Sequence, residues 1–274
     1  MQNGNDHGPL GHSVDYDTSY NPGLLFPIAR QHGRAQLGIG DALPFQGFDI
    51  WNAYEISWLD LSGKPCVAWG EFRFPAASAA IVESKSFKLY LNSLNQERFA
   101  SVADVQETVR RDLGAVLGPG VDARLRLPDS WRLCPIVEPD GLCLDALPVT
   151  IERYQPAPEL LRTVSAQVVS RTMFSRLLRS RCPVTGQPDW GTVQIAYTGP
   201  EIDAAGLLAY IVSFRQHQDF HEHCVERMFV DLTTRCAPRQ LSVYARYLRR
   251  GGLDINPYRS TGDETPANPR WFQQ

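Results

Sequence analysis

A cysteine and an aspartate stand seven residues apart in Arg181-Cys182-Pro183-Val184-Thr185-Gly186-Gln187-Pro188-Asp189-Trp190. A thiol becomes a strong nucleophile once deprotonated, and a neighbouring arginine favours that. A carboxyl group kept protonated by partial burial, here against Trp190, is suited to act as an acid. Taken alone, an inert cysteine in a plain loop is the more frequent meaning of such a stretch. Phe220-His221-Glu222-His223-Cys224 gathers four side chains able to bind metal or a polar ligand. Neighbouring helical positions diverge, and no HExxH or CxxC spacing supports zinc. A solvated helix start is the plainer meaning. Val82-Glu83-Ser84-Lys85-Ser86-Phe87-Lys88 opens a helix, where backbone N–H groups, hydroxyls and a lysine favour anions, although Ser84 or Ser86 there is also an ordinary cap. Arg249-Arg250-Gly251-Gly252 forms a flexible basic turn suited to a phosphate, or an exposed strand end. No GxGxxG motif follows a strand, so a Rossmann nucleotide site is unsupported.

The elements around these residues follow from periodicity. Tyr54, Ile56 and Trp58 alternate with polar neighbours, and Val67–Phe74 alternates again beyond a Gly63-Lys64-Pro65 turn, which predicts a hairpin. Phe87, Tyr90, Leu91 and Leu94 mark one helix. Ser101 stands at the cap position of a second, with Val105, Val109, Leu113 and Val116 on its apolar face. Residues 121–127 read as a strand, and 129–158 as a proline-rich connector. Leu160–Val169 reads as helical or mixed, and Phe174, Leu177 and Leu178 as helical. A strand at 192–197, helices near 203–217 and 220–236, and a closing strand at 241–247 complete the chain. Both halves repeat one plan of strands around paired helices, which implies an α+β fold. The divisions are a loop-rich arm over 1–50, a first module over 51–150, and a second over 151–274 carrying Cys182.

The 274 residues are 43% hydrophobic and 21% charged, with a net charge of −3. That balance argues against a dedicated nucleic-acid binder. No apolar run reaches a membrane span, and the N-terminus lacks the form of a signal peptide. Six scattered cysteines without a CxxC pair suit a reduced, cytoplasmic protein.

Together the motifs are more specific than any one of them. Glu83-Ser84-Lys85-Ser86-Phe87-Lys88-Leu89-Tyr90 and Cys182-Pro183-Val184-Thr185-Gly186-Gln187-Pro188-Asp189-Trp190 resemble the NADPH-dependent 7-cyano-7-deazaguanine reductases, the nitrile reductases of queuosine biosynthesis. Leu43–Trp51, Phe220-His221-Glu222 and the stretch from Leu241 to Pro257 match as well, so the resemblance covers nearly the whole chain. It implies a tunnelling fold, in the long form built of tandem antiparallel-sheet modules, each with a helix pair on one face, and a homodimer. It also implies that Cys182 attacks the nitrile carbon to form a thioimide and that Asp189 gives the proton to nitrogen. Val82, Glu83, Ser84, His221 and Glu222 become substrate contacts, and Ser84, Lys85, Arg250 and Gly251 contacts of NADPH, the co-substrate. No metal is required; His223 is assigned to the helix surface, and Cys224 and Cys236 to the core. The enzymatic alternative is a zinc-dependent pterin or purine hydrolase of the same fold, using His221, His223 and a cysteine. A binding module that has lost the chemistry is the non-enzymatic one.

Overall fold

The computed structural model describes residues 8, 9, 19–133 and 135–274. Its elements are β1 (Pro27–Ala29), α1 (Arg30–Gln36), β2 (Gln46–Leu59), β3 (Pro65–Pro75), β4 (Ala80–Val82), α2 (Ser84–Ser93), α3 (Val102–Leu117) and β5 (Asp122–Arg126), followed by β6 (Leu142–Cys143), β7 (Thr163–Arg181), β8 (Pro188–Ile202), α4 (Ala204–Ser213), α5 (His221–Cys236), β9 (Gln240–Tyr247) and β10 (Leu253–Ser260). Residues 1–7 and 10–18 of the predicted loop-rich arm lie outside the described residues, and its remainder holds β1, α1 and the start of β2.

Two compact units emerge. The first takes the described residues of Met1–His32, Ile50–Cys134 and Arg249–Asp254; the second takes Gly33–Asp49, Pro135–Leu248 and Ile255–Gln274. They interleave along the chain where the sequence suggests consecutive modules. Arg249–Asp254 folds with the first unit because Gly252 O accepts from Tyr54 N at 2.9 Å. The Asp254 carboxylate also takes the Asn52 amide and the Tyr54 hydroxyl, each at 2.6 Å.

In the first unit the strand order is β5-β3-β2. Antiparallel β3–β5 pairing sets Trp69 opposite Arg126 and Arg73 opposite Asp122. The α2 side chains Phe87 and Tyr90 are fully buried, and Phe87 packs edge-on to Phe72 at 5.1 Å and Trp51 at 5.9 Å. Edge-to-face aromatic pairs of this kind add about 0.5–1.5 kcal/mol each beyond their buried area. Ser101 Oγ caps α3 by accepting from Asp104 N, and the helix ends at Gly118 with φ +89°. Val105, Val109, Leu113 and Leu117, four residues apart, are its buried stripe.

In the second unit the order is β10-β9-β8-β7-β6. Val193, Ile195, Val243 and Ala245 turn inward, and α5 packs on β8 and β9 with Val225, Phe229 and Leu232 buried. Each unit therefore carries antiparallel strands with a helix pair, and the α+β plan read twice in the sequence is present twice.

Two expectations are corrected. The stretch assigned as mixed or helical around Val164–Leu178 is one strand of nineteen residues, paired with β8 from Thr163↔Ile202 to Arg181↔Pro188. Three register irregularities interrupt it, the last between Ser175 and Leu178. Such bulges break the period of two and leave apolar residues at helix-like spacing. Leu177 is thereby 42% exposed while Leu178 is fully buried. The second correction concerns 249–257. The basic turn is present, but from Leu253 it becomes β10, every residue of which is buried. Its polar members hid it, because Asn256 and Arg259 are satisfied inside the second unit.

Arg259 illustrates how. Its guanidinium meets Asp49 Oδ1 at 2.8 Å and Glu226 Oε1 at 2.9 Å, and all three side chains are buried. Burial opposes its charge, but the two carboxylates outweigh that and raise its pKa. Glu226 also holds Arg34 at 2.7 Å. Glu226→Ala would leave two buried guanidinium groups short of their shared carboxylate. The expected loss is about 3–5 kcal/mol, read from the urea midpoint.

Candidate active site

Cys182 follows the last residue of β7, not a helix as its flanking residues suggest. It closes the β7–β8 hairpin, with its N–H donating to Gln187 O at 2.8 Å and its carbonyl accepting from Gly186 N at 3.0 Å. Gly186 has φ +67°, a conformation that side-chain-bearing residues rarely adopt. The turn thus fixes the cysteine, which is 1% exposed. Thr185 N–H points at Sγ from 3.5 Å.

Asp189 is the second residue of β8 and sits opposite Ser180 in the register. Side chains two residues apart on a strand share a face, so Ser180, Cys182 and Asp189 project to one side of the hairpin. The carboxylate is buried, with Oδ2 3.8 Å from His221 Nε2. Trp190, expected to bury it, points the other way. It is 38% exposed, with the Arg179 and Arg215 guanidinium groups 5.3 and 5.4 Å from its ring centre. The burial comes instead from the α5 side, where the His221 ring packs edge-on to Tyr247 at 4.0 Å.

His221 and Glu222 open α5, and both are buried. The structure therefore brings Asp189 and His221 together, and Cys182 and Glu222 are buried in the same unit. Tyr247 is a member that sequence reasoning missed, since nothing in a strand's alternation marks one tyrosine as special. Burial pushes its hydroxyl pKa well up, so it stays protonated. Burial likewise pushes the Cys224 thiol up, which leaves it a packing residue.

His223 is not on the helix surface. It is buried, its Nδ1 lies 3.1 Å from Asp219 Oδ1, and the Gly33 backbone packs against its ring. It faces Asp219 while His221 faces Asp189, so the two histidines do not converge. Among the described residues no group of three or more His, Cys, Asp or Glu is arranged to hold a metal ion. The zinc hydrolase reading therefore finds no support.

The first unit carries the remaining candidates. Val82 ends β4, and Glu83 is the cap of α2, a place expected for Ser84 or Ser86. Its carboxylate accepts from Lys85 N at 2.6 Å, Ser86 N at 2.7 Å and Ser84 Oγ at 3.3 Å. Burial raises its pKa, against the lowering effect of these bonds. The helix-start N–H groups expected to favour an anion are thus directed at Glu83 itself. A carboxylate has about four acceptor sites, so capacity remains for further donors.

The same unit carries side-chain cations, a donor type suited to phosphates. Lys85 and Lys88 stand one turn apart on α2, and Gly251, at φ +60°, lies against Lys88. A side chain on Gly251 would fill the space beside Lys88, and one on Gly252 would strike Glu55 at 2.5 Å. Arg250 N–H donates to Leu253 O at 2.7 Å, which holds the turn in place. Ser84, Lys85, Arg250 and Gly251 thus share one unit, with Lys88 paired to Glu55 at 3.2 Å.

The chain thus falls in the class of repeated α+β architectures, with a buried cysteine and a buried carboxylate on one hairpin. Comparison with known proteins narrows the class. Residues 16–125 match the family described as "Nitrile reductase, 7-cyano-7-deazaguanine-reductase N-term", and residues 188–266 match "QueF-like protein". A Bordetella avium protein named NADPH-dependent 7-cyano-7-deazaguanine reductase is 57% identical over 97% of this chain and 98% of its own. Proteins of the same name from Dechloromonas aromatica and Desulfotalea psychrophila are 55% and 52% identical, each over 97% of this chain and over 95% and 97% of their own. The chain belongs to the NADPH-dependent 7-cyano-7-deazaguanine reductase family.

Proposed function

We propose that this chain reduces the nitrile of 7-cyano-7-deazaguanine to an aminomethyl group, through a covalent thioimide on Cys182, within tRNA queuosine biosynthesis. The observation that carries the reading is the hairpin that fixes Cys182 and Asp189 on one face. Sγ adds to the nitrile carbon, and Asp189 gives a proton to the nitrile nitrogen. A thioimide accepts hydride more readily than a nitrile, so the covalent step divides a hard reduction. When bound, NADPH supplies a hydride in each of two rounds, and two NADPH with two protons convert the nitrile to the amine. After the first round the C–S bond breaks, which returns the thiolate and leaves an imine. His221, whose Nε2 lies 3.8 Å from Asp189 Oδ2, helps restore its proton. Burial of this cluster keeps water from the imine.

Glu83 accepts from the pyrimidine N–H groups of the substrate, and Val82, Ser84, His221 and Glu222 complete its contacts. Ser84, Lys85, Arg250 and Gly251 serve NADPH. The enzyme acts as a cytoplasmic homodimer without direct contact to nucleic acid. Among the described residues no helix is long and apolar enough to cross a membrane.

The test is stoichiometric. Purified protein with the nitrile and NADPH should oxidise two NADPH per nitrile and yield the aminomethyl product. NADPH consumption without that product, or no consumption at all, overturns the reading.

A further inference from the structure

Asp219 has no part in the chemistry above, yet it stands between the strand that leads into Cys182 and the helix that begins with His221. Its backbone N–H donates to Arg181 O at 3.2 Å, and Arg181 N–H donates to His217 O at 2.8 Å. These bonds pin residues 217–219 alongside the residue that precedes the nucleophile. Gln218 Nε2 adds a bond to Cys182 O at 3.4 Å.

The carboxylate acts toward the helix. Phe220 occupies the cap position of α5 and has no side-chain acceptor to offer. Asp219 Oδ1 takes over, accepting from Phe220 N at 2.8 Å and from His223 Nδ1 at 3.1 Å. Oδ2 lies 3.5 Å from His217 Nε2. The Gly33 backbone against the His223 ring leaves that imidazole little room to turn away. Burial opposes the charge on Asp219, but the two histidines outweigh it and hold the carboxyl well below the usual carboxylate range.

We propose that Asp219 is a positioning residue for the nitrile reduction, one that fixes the spacing between the Cys182 end of the hairpin and the His221-Glu222 start of α5. Its main chain holds the nucleophile's strand and its side chain holds the helix. A shift at this joint moves the thiol and the substrate contacts relative to each other, and small misplacements of reacting groups are costly in rate. The inference rests on Cys182 being the nucleophile.

The experiment follows the covalent step alone, as the rate of mass gain when protein is mixed with 7-cyano-7-deazaguanine without NADPH. Wild type should gain the mass of one nitrile. In Asp219→Ala that rate should fall about 100-fold, with NADPH affinity within about twofold of wild type. Asp219→Asn keeps a carbonyl acceptor for Phe220 N–H, so it should recover to within about tenfold of the wild-type rate. A wild-type rate in Asp219→Ala overturns the proposal. So does a joint fall of adduct rate, NADPH affinity and Tm in both variants, which would mark a merely structural residue. A wild type that forms no adduct overturns the Cys182 reading instead, and this proposal with it.

Discussion

Cys182→Ala should lose turnover by about 10⁴-fold or more, since removing a nucleophile leaves only the binding contributions to catalysis. Binding of 7-cyano-7-deazaguanine should survive in part, because the substitution deletes one small buried group and keeps the hairpin bonds made by its backbone. Intact mass should show no nitrile adduct in the variant and one in wild type. The other described cysteines make this diagnostic. Cys66 and Cys143 are more accessible than Cys182, so a general alkylating reagent should find them first. Burial raises the Cys224 and Cys236 thiols, to about 11 for Cys236, and so keeps them protonated. Only a reagent that enters the site and meets an activated sulfur selects Cys182. Normal turnover by Cys182→Ala, or an adduct on another cysteine, would end the covalent proposal.

The local pattern made helices and hairpins readable wherever one physical rule dominated. In α3 the Ser101 cap, the four-residue apolar spacing and Gly118 agree, and the helix runs between those signals. The hairpin of β2 and β3 was announced by its turn, whose Asp60 N–H reaches Lys64 O at 2.9 Å. β7 and β10 were not readable, for opposite reasons. Bulges in β7 disguised a strand as a helix, and buried ion pairs in β10 disguised a strand as a polar loop. Long-range partners decided both, and no window of sequence contains them. The site divides in the same way. Cys182 and Asp189 are neighbours in sequence and share a turn, so their proximity could be inferred. That His221 and Tyr247 bury Asp189, rather than Trp190, depends on which strand face meets α5. Asp219 left no signal either, since its role comes from bonds to a strand thirty-eight residues earlier in the chain.

Glu83→Gln should weaken 7-cyano-7-deazaguanine binding by about 30- to 100-fold, from the loss of charge-assisted bonds each contributing about 1.5–3 kcal/mol less the competition of water. The amide sets a donor where the substrate also presents donors. NADPH affinity should change far less, within about threefold, because its proposed contacts are the cations at Lys85 and Arg250 and not this carboxylate. The cap complicates the variant, since Glu83 also receives Lys85 N and Ser86 N. A weakened cap costs about 1 kcal/mol, so Tm should drop by a few degrees while the protein stays folded at 25 °C. Acid provides an independent check without any substitution. Burial raises the Glu83 pKa above its ordinary 4.5, so protonation on acidification begins at a higher pH than for a free glutamate. Substrate affinity should therefore fall as pH drops through that raised value towards 4.5, and the limb should vanish in Glu83→Gln. Stability contributed by this group runs the other way. The folded state binds the proton more tightly than the unfolded one, so the penalty for the buried charge is present above the raised value and relieved below 4.5. Calorimetric titration of the nitrile and of NADPH across pH reads both limbs. Equal losses for the two ligands would place Glu83 in the helix alone and remove it from substrate recognition.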